Sequence, residues 1–127
     1  MSWDRDSLWA KTCVYMERAF EESKDDPLFG LWASLGLELL ARSAIASVSP
    51  TLLAKPDRDH RYLLHALGRG SERVPKKSLA SVQVLQLCST LFDEFSDEEK
   101  SVATAIINRR NEELHSGTCA FEEYPSS

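Results

Sequence analysis

The chain has 127 residues and a net charge of −5 at neutral pH, and 43% of its residues are hydrophobic. That length fits one domain that can bury a core without disulfide or metal staples. The acidic balance argues against a protein that coats nucleic acids through bulk electrostatics. No run approaches the roughly 18 to 20 continuous apolar residues of a membrane span, so we expect no membrane association.

The cysteines and the N-terminus indicate a cytoplasmic protein. Cys13, Cys88 and Cys119 are odd in number and widely spaced, a pattern that predicts neither a disulfide framework nor a zinc site. We expect Cys13 and Cys88 to be small buried thiols on apolar helix faces. The acidic, tryptophan-containing N-terminus does not resemble a signal peptide. Because the cysteines do not form a zinc-binding pattern, we expect no metal. We also expect no cofactor.

The first helix is predicted from about Asp4 to Ser23, because apolar residues recur there at spacings of four, three and four. These residues, which should face the core, are Trp9, Cys13, Met16 and Phe20. A second helix should begin at Asp26-Pro27, an N-cap followed by a first-turn proline, and continue to about Val48. Its predicted core face consists of Leu28, Leu31, Leu35 and Leu39.

Two features inside the second helix need an explanation. Gly30 and Gly36 each cost a helix up to about 1 kcal/mol relative to alanine, so we expect another helix to approach closely there. Glu38 lies four residues before Arg42, which favours an intrahelical ion pair. The alternative is that Glu38 orients an arginine or histidine of a neighbouring helix.

The middle of the chain is basic. Ser49 to Asp59 is predicted as a long connection and His60 to Arg69 as a short helix. Between Lys55 and Lys77 there are seven basic and three acidic residues, a local balance of +4 that leaves −9 for the remainder. This segment could guide an RNA backbone. The alternative is a solvated loop and short helix.

Two more helices complete the pattern. Ser78 is a good N-cap for a helix to about Phe95, and Ser96 to Glu99 is a capping box for a last helix from Asp97 to His115. The residues expected on the buried side of the first are Val84, Cys88, Leu91 and Phe95. Those expected on the buried side of the second are Val102, Ala103, Ile106, Ile107 and Leu114.

The sequence therefore predicts an all-α fold. No convincing strand or internal repeat is present, which favours an up-and-down bundle of four to five helices. We assign residues 1–117 to this helical domain and residues 118–127 to a C-terminal loop or linker. Such a tail would fit a domain cut from a longer protein.

Three residues near the end of the last helix could act on RNA. His115 can move protons near neutral pH, and Arg110 stays cationic and can bind two phosphate oxygens. Asn111 adds a neutral donor and acceptor. At about 100° per residue, Asn111 and His115 share a helix face, whereas Arg110 diverges from His115 by roughly 140°. One helix alone cannot easily close such a site.

Arg110, Asn111 and His115 resemble the signature of HEPN-domain ribonucleases, an arginine, a polar residue and then a histidine. The resemblance implies a HEPN-like bundle and a homodimer that cleaves RNA without a metal. It also implies a toxin or anti-phage defence setting, with an antitoxin or a fused regulatory domain as a further partner. Some HEPN toxins are silenced through a tyrosine two residues after the histidine; here that position is Gly117, so we do not expect this control.

Other interpretations of the motif remain open. Arg58 and His65 form a second match to the same pattern, but Arg58 follows a proline-containing loop. Residues 110–115 could also be a solvated helix end, with Glu112 and Glu113 as surface acids and His115 as a favourable C-terminal charge. In that case the protein would be a helical dimerisation or ligand-sensing module. A metal-dependent hydrolase has little support, because His60, His65 and the acids form no HExxH-like cluster.

Overall fold

The structure, a computed structural model, describes residues 3–56, 59–68 and 78–115. Within these ranges the protein is all-α, as predicted. The helices are α1 (Arg5–Glu21), α2 (Pro27–Val48), a 3-10 helix (Pro50–Leu53), α3 (Arg61–Ala66), α4 (Ser81–Leu91) and α5 (Asp97–His115). The assignment of residues 118–127 to a linker lies outside the described residues.

Side-chain caps fix the starts of α2 and α5 where they were predicted. Asp26 accepts a hydrogen bond of 2.9 Å from the Leu28 amide, and Pro27 opens α2. Ser96 and Glu99 exchange two bonds of 3.1 Å, each side chain accepting from the other residue's backbone amide. The predicted caps for these two helices are therefore confirmed.

The start and end of α4 were predicted wrongly. Ser78 forms an isolated antiparallel bridge with Ala54, and the Leu79 amide donates to the Leu53 carbonyl at 2.8 Å. These contacts hold residues 78–79 extended against the 3-10 helix, so α4 begins only at Ser81 and ends at Leu91 rather than Phe95.

Helix α2 lies at the centre and contacts α1, α4 and α5. Helix α1 runs antiparallel to it: the Ser43 hydroxyl donates to the Arg5 carbonyl near one end, and Arg18 lies over the Trp32 ring near the other. A methyl group on Gly36 would lie 2.6 Å from the Met16 sulfur. The close approach predicted at Gly36 is confirmed.

The buried face of α1 is one residue away from the predicted one. Leu8, Thr12 and Ala19 are buried, whereas Trp9 and Phe20 are 51% and 73% exposed. Met16 of the predicted face packs against Gly36 of α2 and is half-buried, so the inward side of α1 includes large as well as small residues. Thr12 is tolerated there since its hydroxyl donates to the Leu8 carbonyl at 2.8 Å.

The predicted core faces of α2 and α5 also need correction. On α2, Leu28 is exposed, and the residues buried are Ser34, Gly36, Ser43, Ile45 and Ala46. A helix with neighbours on three sides has no single apolar face, which is why its leucines are mostly half-buried. On α5, Ala103 and Ile107 are buried as predicted, whereas Val102 and Leu114 are exposed.

Two cysteines lie in the described part of the chain. Cys88 is buried on α4, as predicted, and burial raises the pKa of its thiol to about 11. Cys13 is only half-buried, because the inward face of α1 is rotated away from it. Cys119 lies outside the described residues.

Helix α2 also has the length and mean hydropathy of a membrane span, 22 residues at 1.3. Core helices of soluble proteins meet the same test, so this finding alone assigns no location. In this structure α2 carries an ion pair between Glu38 and Arg42 near its middle and packs against three other helices.

Candidate functional site

A polar cluster lies where α2, α4 and α5 meet, inside an otherwise apolar contact. We call it the Glu38 cluster; it consists of Glu38, Arg42, Ser81, Arg110 and Asn111. Its members come from three helices, and the cluster ties these helices together. Two of the three predicted catalytic residues, Arg110 and Asn111, belong to it.

Arg110 is the most enclosed member, with a side chain only 7% exposed. Its Nη1 lies 2.7 Å from Glu38 Oε1, and its Nη2 donates to Ser81 Oγ at 3.0 Å and to Asn111 Oδ1 at 3.2 Å. Its Nε is buried and has no hydrogen-bond partner among the described residues. Both terminal nitrogens of the guanidinium therefore bind the protein itself.

The sequence places Arg110 in the interior through helical spacing. Ala103 and Ile107 are buried on α5, and Arg110 follows them at positions i+7 and i+3 on the same face. The interpretation of this segment as a solvated helix end is therefore wrong for Arg110. It holds for Glu112, which is exposed.

Glu38 makes both of the contacts considered from the sequence. Its Oε2 accepts from Arg42 Nε at 3.1 Å within α2, and its Oε1 pairs with Arg110 of α5. Its Oε1 also accepts a short hydrogen bond from the Ser81 hydroxyl. Arg42 extends the network further, because its Nη2 donates to the Leu79 carbonyl at 2.8 Å.

Glu38 is ionised in this setting. Burial by itself raises the pKa of Glu38, but hydrogen bonds from Ser81 and Arg110 and the positive charges of Arg42 and Arg110 outweigh burial. The pKa therefore lies below its ordinary value of 4.5. One carboxylate faces two guanidinium groups, so these three side chains carry an excess positive charge.

His115 is the last residue of α5, one helical turn beyond Asn111. The backbone at His115 is helical, as predicted. Its side chain lies outside the described residues. The structure brings Arg110 and Asn111 together and leaves the position of the imidazole open.

Two of the seven basic residues of the middle segment are described. Lys55 and Arg61 are exposed, and the Arg61 guanidinium carbon lies 5.8 Å from the centre of the Tyr62 ring. The other five basic residues, Arg58, Arg69, Arg73, Lys76 and Lys77, lie outside the described residues, as does the His65 side chain. The second motif match consists of Arg58 and His65, so its two side chains lie outside the described residues.

Ser81 is a site residue that the sequence did not single out. It is the first residue of α4, 29 positions before Arg110, and only the packing of α4 on α5 brings the two together. No local pattern around Ser81 indicates that contact. Among residues 3–56, 59–68 and 78–115, no group of three or more histidine, cysteine or acidic side chains could hold a metal ion.

Comparisons of the chain with protein-family models, curated proteins and solved structures found no match. The resemblance to HEPN domains is therefore confined to the motif and the all-α fold.

Proposed function

We propose that the chain is a HEPN-type endoribonuclease that cleaves RNA without a metal, at a site completed by a second copy of the chain. The observation that carries this proposal is the contact between Arg110 and Asn111 at the end of α5, held from α2 by Glu38. A fixed cation, an amide and a histidine then lie within two turns of one helix.

The two ends of the Arg110 guanidinium would have different roles. Nη1 forms a charged pair with Glu38, whereas Nη2 binds only the neutral oxygens of Ser81 and Asn111. Hydrogen bonds to an ionised acceptor are roughly twice as strong as neutral ones. A phosphate oxygen would therefore replace the neutral partners at Nη2, while Glu38 keeps the guanidinium in place.

The proposed reaction is a transesterification. The ribose 2′-oxygen attacks the adjacent phosphorus, and the bond from phosphorus to the 5′-oxygen breaks. One histidine takes the 2′-hydroxyl proton, and His115 of the other copy gives a proton to the leaving 5′-oxygen. The products are a 2′,3′-cyclic phosphate and a 5′-hydroxyl, and Arg110 stabilises the charge that develops on the phosphate.

By resemblance, the setting would be a cytoplasmic toxin or anti-phage defence system that acts on cellular or phage RNA. Its partners would be the RNA substrate, a second copy, and an antitoxin or a fused regulatory domain. The HEPN-like, up-and-down arrangement of the helices is part of the same proposal.

A second candidate is a helical dimerisation or ligand-sensing module without catalysis. The burial of Arg110 favours it, because both terminal nitrogens of the guanidinium are already engaged within one subunit. In this case the motif serves to hold α2, α4 and α5 together.

Incubating the purified chain with total RNA in EDTA separates these candidates. Arg110→Ala is a poor probe, because it removes the α5 partner of the half-buried Glu38 carboxylate and so destabilises the fold. His115→Ala and Asn111→Ala are better probes. Asn108→Ala is the matched control, since Asn108 is an exposed asparagine on the same helix.

We expect fragments with cyclic phosphate ends from the wild type and from Asn108→Ala. We expect a rate at least about a hundredfold lower from His115→Ala, the usual contribution of a general acid or base. Equal cleavage by the wild type and both probe variants, or no cleavage at all, would favour the module. Loss of cleavage in EDTA alone would indicate a metal-dependent hydrolase.

A further inference from the structure

A cavity of about 470 Å³ lies beside the Glu38 cluster, and no residue of α5 lines it. Its walls come from the first half of α1, the middle of α2, the 3-10 helix and Ser78. This volume lies within the range of small-molecule sites, about 300 to 1,000 Å³. Glu38 and Arg42 of the Glu38 cluster line this cavity, whereas Arg110 and Asn111 do not.

The lining combines an apolar wall with two cations. Trp3 and Leu39 lie on the apolar side, while Lys11 and Arg42 supply the positive charges. Glu38 is the one carboxylate among the lining residues. This composition suits a ligand that has a flat or apolar body and an anionic group.

One guanidinium nitrogen of Arg42 is available to a ligand. Its Nε binds Glu38 and its Nη2 binds the Leu79 carbonyl, but Nη1 has no hydrogen-bond partner among the described residues. Its side chain is only 13% exposed, so water screens its charge weakly. Lys11, at the edge, is exposed, and its Nζ lies 5.6 Å from the centre of the Tyr15 ring.

The charge balance favours an anion at this position. Glu38 is shared by Arg42 and Arg110, which leaves one uncompensated positive charge in a largely buried cluster. Buried charges are usually paired, because an unpaired one is costly. An anion against Arg42 Nη1 would balance the excess charge, and Lys11 would add a second positive charge from the edge.

We propose that this cavity binds a small organic phosphate, with the phosphate at Arg42, Lys11 at the edge of the cavity, and the apolar body against Trp3 and Leu39. This site is a ligand site and does not depend on RNA cleavage. A chain that cleaves no RNA could still bind the ligand, and a chain that binds no ligand could still cleave RNA.

The test uses the full chain with adenosine monophosphate as the probe, and with adenosine and inorganic phosphate as the two partial ligands. Calorimetry gives the affinities, and the indole N–H signals of the three tryptophans report where the probe binds. We expect the nucleotide to bind more tightly than either part. The nucleotide should shift the Trp3 signal. The signal of Trp32, a residue of α2 that contacts Arg18 near the far end of α1, should stay unchanged.

Two variants test the cations. Lys11→Ala should weaken nucleotide binding about fivefold, as expected for the loss of about 1 kcal/mol from an exposed charge. Lys24→Ala removes an exposed lysine from the loop after α1 and should leave binding unchanged. Arg42→Gln, with its fold checked by circular dichroism, should weaken binding more than tenfold.

The proposal is overturned if millimolar nucleotide gives no heat and no shift of the Trp3 signal. It is also overturned if Lys11→Ala binds as tightly as Lys24→Ala. Because Lys11 is exposed and its replacement leaves the core intact, this second result stands even where Arg42→Gln does not fold.

Discussion

At the scale of single residues, the molecule depends on one carboxylate that serves two arginines. Glu38 binds Arg42 within its own helix and Arg110 across to α5, and the Ser81 hydroxyl completes the arrangement. Removing one partner of a buried pair costs more than the pair contributes, because the remaining charge stays buried. Loss of Glu38 should therefore lower the stability of the protein.

Glu38→Gln should lower the free energy of unfolding at pH 7 by roughly 3 kcal/mol, since two guanidinium groups lose their counter-charge. The pKa of Glu38 is lowered in the folded state, so this stabilisation is complete above about pH 4.5 and is lost as the pH falls through the folded-state pKa. The difference in the free energy of unfolding between wild type and variant should therefore shrink below pH 4.5. Urea titrations at several pH values measure it.

The matched control is Glu17→Gln, which changes an exposed glutamate of α1. It should follow the wild type within about 0.5 kcal/mol throughout the pH range, as surface substitutions usually do. If the free energies of unfolding of wild type and Glu38→Gln differ by the same amount from pH 7 to pH 3, this contradicts the assignment of an ionised, doubly paired Glu38.

At the scale of elements, the sequence predicted where helices begin better than which face they bury. The starts of α2 and α5 follow from local pairs, Asp26-Pro27 and Ser96 with Glu99, and a few neighbouring residues suffice to specify them. The start of α4 depends on the bridge between Ala54 and Ser78, 24 positions apart. No local pattern contains that contact.

Buried faces depend on partners in the same way. Trp9 is more apolar than Thr12, yet Thr12 is buried and Trp9 is exposed, because the side of α1 that faces inward includes Thr12 and not Trp9. Arg110 is the same case in the candidate site: its position on the buried face of α5 follows from spacing, but its partners Glu38 and Ser81 follow only from the fold.

Ser96→Ala tests whether the capping box defines the start of α5. The variant loses the hydroxyl that accepts from the Glu99 amide, so we expect the free energy of unfolding to fall by about 1 kcal/mol. Ser101→Ala, at an exposed position inside α5, should be neutral or slightly stabilising because alanine is the better helix former. Equal effects of the two changes in thermal unfolding would contradict the capping role.

At the scale of the whole molecule, the proposed activity requires two chains. Within one subunit Arg110 is committed to Glu38, Ser81 and Asn111, and a site with two histidines needs a second α5 end facing the first. Exposed apolar side chains are available for such contacts on α1, α2 and α5; they include Trp9, Phe20, Leu40, Val102 and Leu114. The homodimer remains a prediction.

The most direct measurement is a mixing experiment. Increasing amounts of His115→Ala chain are mixed with a constant amount of wild-type chain, and the subunits are allowed to exchange. The rate of RNA cleavage in EDTA is then measured and divided by the amount of wild-type chain. If each site takes a histidine from both copies, the rate per wild-type chain falls in proportion to the fraction of wild-type chains in the mixture. A rate that stays constant while mixed dimers form, or the absence of cleavage by the wild type alone, would contradict the shared site.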